Sequence, residues 1–152
     1  TYQFIPSTVG RVVYQARGLK PEARGHGYGK KFPQAAVREL DADFLIAKAQ
    51  NPISIWSTIS ASVFKITYPL HADFTTSPEM SQVLLDTIAA RGKVGKVDAQ
   101  TGVHKGSYPM GKLGDYDPDF THPGVAAIQA RLLELGIDPV NGDAIYYGGK
   151  IV

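Results

Sequence analysis

Apolar positions at three- and four-residue spacing dominate the first third of the chain. Val9, Val12, Val13 and Ala16 share one helical face, which predicts a helix opened by Pro6 and Ser7, running to about Arg17 and stopped at Gly18. Gly10 inside it costs roughly 1 kcal/mol against Ala unless something packs closely there. Pro33 suits the first position of a second helix. Ala36, Val37, Leu40, Phe44 and Ala47 carry that helix to about Gln50. Asn51-Pro52 restarts a helix with Ile55, Trp56 and Ile59 as its buried stripe. From Ser62 to Tyr68 the side chains alternate and are β-branched or aromatic, a pattern that fits a short strand or a continued helix. Thr76 and Glu79 have the spacing of a capping box, supported by Pro78. The helix they open buries Val83, Leu84, Thr87 and Ile88 and ends at Gly92.

Lys93 to His122 is glycine-rich and carries only scattered apolar anchors, so an irregular segment laid over another surface, such as a second subunit, is expected. The last helix begins near Pro123. Its stripe is Val125, Ile128, Leu132 and Leu135, and Gly136 caps it. Asn141-Gly142 is a turn signal. The expected fold class is mainly α, a helical part with a glycine-rich irregular segment and minor β near Ser62–Tyr68 and Asp138–Ile151. The expected organisation is a helical part over 1–92, an extended segment over 93–122 and a helix plus turn over 123–152.

Composition narrows the function classes. At 152 residues the chain has the size of one ordinary domain, and 43% hydrophobic with 20% charged residues suits a globular chain. No apolar run approaches the roughly 18 residues of a membrane span, and no signal-peptide pattern is present. The chain starts at Thr1 rather than Met, as an excerpt from a longer or processed polypeptide would. It contains no cysteine, which excludes disulfides, zinc–thiolate sites and thiol nucleophiles. Sixteen Lys+Arg against 14 Asp+Glu give a net charge of +2, far from the basic bias of a dedicated nucleic-acid binder.

Individual motifs point in several directions. Gly25-His26-Gly27-Tyr28-Gly29-Lys30-Lys31 has the glycines of a phosphate loop, but the Lys/Ser spacing is wrong and no strand is expected before it, so a mobile surface loop over Leu19–Lys31 is the expectation. Asp115, Asp117 and Asp119 alternate as in a calcium loop, yet Phe120 and Ala126 stand where Gly and Glu belong. His26, His71, His104 and His122 lack metal-pair spacing, so no metal site is expected. No Gly-x-Ser-x-Gly elbow supports serine hydrolysis. Lys20, Arg24, Lys30, Lys31 and Arg38 form a local basic patch that can meet phosphates or the anionic polymers of a cell wall. Tyr2, Phe4, Trp56, Tyr68 and Tyr108 can stack on sugar rings, although Trp56 falls in a core stripe.

Tyr2-Gln3-Phe4-Ile5, followed by the expected helix, resembles the "Gly-x-Tyr-Gln-aliphatic-x-Pro/Ser" motif of lysozyme-like enzymes, the lambda-type phage endolysins and the bacterial lytic transglycosylases. Gly18-Leu19-Lys20 is similar to the tripeptide that closes that helix in the endolysins, and Ile55-Trp56-Ser57-Thr58 to their "Ile-Trp-Ala-Ser" helix. Met80 to Gly92 corresponds to their last long helix, so the resemblance spans residues 1–92. In that family the catalytic acid is a Glu upstream of the Tyr-Gln motif. This chain begins at the motif, and Glu22, Glu39, Glu79 and Glu134 do not occupy the family position. Only Tyr2 and Gln3 carry over, as groove-lining groups; the catalytic residue is unknown. Val125 to Gly142 resembles the first half of a peptidoglycan-binding repeat. Asp115-Tyr116-Asp117 with His122 is similar to the colicin M signature, with Pro123 where an Arg is needed.

The resemblance implies a peptidoglycan-degrading domain, a lytic transglycosylase or muramidase of a phage virion or endolysin, with its catalytic Glu outside this chain. It implies bacterial cell-wall glycan as partner, other virion subunits as further partners, no cofactor, no membrane contact, and a place in the virion or the bacterial envelope after delivery. Nucleic acid is not an expected partner. One alternative is a structural virion protein that kept a lysozyme-like fold without activity. Another is a small secreted nuclease toxin acting through His104.

Overall fold

The computed structural model describes residues 1–16, 22, 24–114 and 119–152. The fold is not mainly α: it is α+β, 35% helical and 21% strand. Its strands are β1 (Tyr2–Ile5), β2 (Val12–Gln15), β3 (Phe44–Ala49), β4 (Phe64–Tyr68), β5 (Val103–His104) and β6 (Ala144–Ile151). They form one six-stranded sheet in the order β1-β2-β3-β6-β4, with β5 added along β6. The helices are α1 (Tyr28–Leu40), α2 (Pro52–Ile59), α3 (Pro78–Ala90) and α4 (Pro123–Glu134).

Through its described residues, 7–16, the first expected helix is instead the turn and second arm of the β1–β2 hairpin, paired antiparallel from Tyr2↔Gln15 to Ile5↔Val12. The tail of the expected second helix is β3, which runs parallel to β2. Both misreadings have one physical cause. Val12–Gln15 is buried at every position, and Phe44–Ala47 likewise, because helices cover both faces of the sheet there. A strand buried on both faces loses its period of two and reads as an apolar run. The close packing required by Gly10 does exist: a Cβ there would meet the Asp43 carboxylate at 2.8 Å, and Asp43 Oδ2 accepts the Arg11 N–H at 2.7 Å.

Helix α1 starts five residues before Pro33, at Tyr28, behind a left-handed Gly27. Strand β2 therefore precedes the glycine-rich stretch, contrary to expectation, and β2–α1–β3 is a parallel crossover. Helix α2 starts as expected: Asn51 Oδ1 accepts the Ile53 N–H at 2.9 Å, with Pro52 in the first turn. β4 resolves the Ser62–Tyr68 ambiguity as a strand. The capping box does not form. Ser77 is the N-cap of α3, Thr76 belongs to a turn closed by Asp73, and Glu79 pairs with Lys150 Nζ at 2.6 Å. The buried face of α3 is the expected one, and Arg91 and a left-handed Gly92 end it. Helix α4 also lies where its stripe predicts, with His122 Nδ1 accepting the Gly124 and Val125 N–H groups. Gly142 ends a short 3-10 turn over Pro139–Asn141 before β6.

The sheet is sandwiched. Val13, Leu45 and Ala36 meet on the α1 side, and Tyr147 hydrogen-bonds Thr58 of α2 at 3.2 Å on the same side. Met80, Val83, Leu84 and Ile88 of α3 join Ile5, Val12, Tyr14, Phe44, Ile46 and Tyr146 in the main core on the other. Helix α4 packs on α2, where Gly124 admits the half-buried Trp56 ring. The described part of the segment after α3 lies over its own chain. Val103 and His104 pair with β6, the Tyr108 N–H donates to the Gly142 carbonyl, and the Leu113 N–H donates to Gln50 Oε1. Arg17, Gly18, Leu19, Lys20, Asp115, Tyr116 and Asp117 lie outside the described residues, so the helix stop, the Gly-Leu-Lys resemblance, part of the loop and basic patch, and the calcium and colicin readings fall there.

Candidate functional site

Strand alternation separates the two residues carried over as groove-lining. Tyr2 and Phe4 project on the α1 side of β1, and Gln3 projects on the α3 side. They therefore cannot line one groove. Tyr2 is 39% exposed, and its hydroxyl donates to the Phe32 carbonyl of α1 at 3.3 Å. Phe4, 55% exposed, stands beside it opposite Val13. The ring of Tyr28 lies 6.4 Å from that of Phe32 and 6.1 Å from His26, with Lys31 Nζ 5.1 Å above it. The hairpin and the first turns of α1 thus build an aromatic edge, with Lys31 of the basic patch on it. Of the other aromatics named from sequence, Tyr68 is fully buried, Trp56 packs on α4, and Tyr108 belongs to the opposite face.

That opposite face carries a second cluster. Gln3, Tyr14, Lys48, Tyr146 and His104 come from five strands, and their register places all five side chains on the α3 side. Gln3 Oε1 accepts from Arg91 at 3.1 Å, and the Arg91 guanidinium lies 3.7 Å from the centre of the Tyr14 ring. Lys48 Nζ donates to Ser107 Oγ at 2.8 Å and sits 4.7 Å above the Tyr108 ring. Burial, then the nearby Arg91 and Lys93, pull the Lys48 pKa down. Burial, then Lys48, Lys93 and Lys96, pull down that of His104, which is 7% exposed. Burial pushes the Tyr14 and Tyr108 hydroxyls up to about 12, so both stay protonated donors. Sequence reasoning singled out Gln3, Tyr108 and His104 for other reasons and missed Tyr14, Lys48, Arg91 and Tyr146. A signal was present: Lys48 is the one charge inside Phe-Leu-Ile-Ala-Lys-Ala.

Among the described residues, no group of three His, Cys, Asp or Glu side chains could hold a metal ion. Asp143 is their one buried acid. Burial raises its pKa, but hydrogen bonds from Lys105 Nζ, the Gly106 N–H and the Asp138 N–H outweigh that and hold it below the usual value. It is an ionised anchor for the β5–β6 region, the reverse of a proton-bearing general acid. No helix among the described residues is long and apolar enough to cross a membrane. The chain matches no family model, no curated protein and no solved structure.

Proposed function

We propose that this chain binds bacterial cell-wall glycan along the aromatic edge of Tyr2, Phe4, Tyr28 and Phe32, and that any carboxyl cleaving that glycan lies outside it. The observation that carries the reading is the convergence of residues 2, 4, 28 and 32 on one exposed edge beside Lys31. Aromatic faces offer apolar, weakly polarised platforms to the C–H faces of sugar rings. Adjacent lysines favour a polymer that carries carboxylates or phosphates. Gln3 has no part in it, since it is turned to the other face and held by Arg91. The same reading places the protein in the virion or the bacterial envelope.

The test is co-sedimentation with purified insoluble peptidoglycan. Tyr2→Ala with Phe4→Ala, and separately Tyr28→Ala, should each lower the bound fraction severalfold while circular dichroism stays that of the parent. Equal binding by the parent and by a variant lacking all three rings would overturn the proposal.

A further inference from the structure

The cluster on the α3 face is a concentration of positive charge without an anion of its own. Four ion pairs occur among the described residues, and none involves Lys48, Arg91, Lys93 or Lys96. Asp143 holds Lys105, Asp98 accepts the Gln100 and Thr101 N–H groups of its own turn, and Asp86 of α3 accepts from Gln82 Nε2 through Oδ1 and pairs with no cation. Beneath the cations, three polar atoms are buried without a protein partner: Arg91 Nε, His104 Nδ1 and the Tyr146 hydroxyl. Seven buried side-chain polar atoms lack a protein partner among the described residues, and these three are gathered in this cluster; buried polar groups are ordinarily paired, so each calls for one. The residues come from β3, β5, β6, the end of α3 and the segment after it, so only the folded sheet assembles them. Lys48 also lies near the carboxyl end of a parallel strand, the end at which open α/β sheets take their ligands.

We propose that Lys48, Arg91 and Lys93 form a binding site for a phosphoryl group, on inorganic phosphate or on a small phosphate ester. Three cations without a matching acid suit a dianion better than a single carboxylate. Donors arriving from separate elements suit a tetrahedral acceptor better than a planar one. Arg91 already gives one N–H to Gln3, which fixes the guanidinium against Tyr14 and leaves its remaining donors oriented. Ser107 and Tyr108, which hold Lys48, border the same site. Bound phosphate would cancel the field of Lys48 and Lys93 on His104, so occupancy is linked to protonation of that imidazole. The site lies across the sheet from the aromatic edge and does not depend on glycan binding.

The experiment titrates the full chain with inorganic phosphate at constant ionic strength, reading heat by calorimetry and the His104 imidazole by NMR. Parallel titrations use a hexose monophosphate and a dicarboxylate. The expected results are saturable phosphate binding, a His104 pKa that rises on saturation, and at least about tenfold weaker binding for Lys48→Met and for Lys93→Ala. Lys65→Ala, an exposed lysine on β4, should bind as the parent does. Tighter binding of the ester than of inorganic phosphate would assign the ligand to esters, and the reverse to the free ion. Lys48→Met keeps the apolar stem and removes a desolvated charge, and Lys93→Ala gives a second, independent readout. Phosphate acting no more strongly than chloride, preference for the dicarboxylate, or binding unchanged in both lysine variants would each overturn the proposal.

Discussion

Replacing Gly124 by Ala sets two effects against each other at the α2–α4 contact. Gly124 is the second residue of α4, and Ala in a helix interior is favoured over Gly by about 1 kcal/mol, less at a helix end. Against this, a Cβ at Gly124 would stand 2.6 Å from Trp56 Cδ2 and closer still to Cε2 and Cζ2. Carbon atoms in contact prefer about 3.5–4.0 Å, so the indole must retreat by roughly 1 Å or more. It has little room, since it packs against the core and its ring centre is 5.6 Å from that of His122. Overpacking of this kind costs about 1–3 kcal/mol. The clash therefore wins, and Gly124→Ala should destabilise by about 1–2 kcal/mol and lower Tm by about 2–8 °C. Trp56 is the single tryptophan, so its fluorescence reports the contact while far-UV circular dichroism follows urea unfolding. The same substitution on a Trp56→Ala background should be neutral or stabilising, a coupling of about 1–3 kcal/mol. Equal destabilisation in both backgrounds, or none in the first, would refute the reasoning.

Gly148→Ala should be far more damaging, about 4 kcal/mol or more, with loss of soluble protein on expression. Gly148 has φ 154°, its added Cβ would overlap the Leu45 carbonyl oxygen in the neighbouring strand, and a soluble, cooperatively melting variant would contradict the β3–β6 register. Asp143→Asn should cost about 1.5–3 kcal/mol at neutral pH, measured by urea midpoint, because a hydrogen-bonded buried carboxylate loses its charge. The folded pKa of Asp143 lies below the unfolded value of about 3.9, so its contribution is complete above that pH and fades as pH falls through the folded value. The variant should accordingly lose less stability than the parent between about pH 4 and pH 2. The isolated chain should leave cell-wall turbidity unchanged, because general-acid help of about 10²–10⁴-fold needs a proton-bearing carboxyl and its one described buried acid is held ionised; lysis by the purified chain would refute this.

Local signals in the sequence located three helices. The α2 start follows from Asn51-Pro52, α3 from its apolar stripe and Gly92, and α4 from Val125, Ile128 and Leu132, because each buries one face and shows the period of that face. The same reasoning failed for β2 and β3. With helices on both sides, Val12–Gln15 and Phe44–Ala47 have no polar face, and their apolar spacings fit a helix as well as a strand. Partners distant in the chain decided between the two: Val12–Gln15 beside Phe44–Ala47, and Phe44–Ala49 beside Ile145–Lys150. Tyr2 and Gln3 were visible as residues, but only strand geometry turned them to opposite faces, one toward Phe32 and the other toward Arg91. Lys48 and His104 lie too far in the chain from Arg91 and Lys93 for spacing to join them. The sheet brings their charges together, and a charge cluster exists only where the fold removes the water and the distance that kept those charges apart.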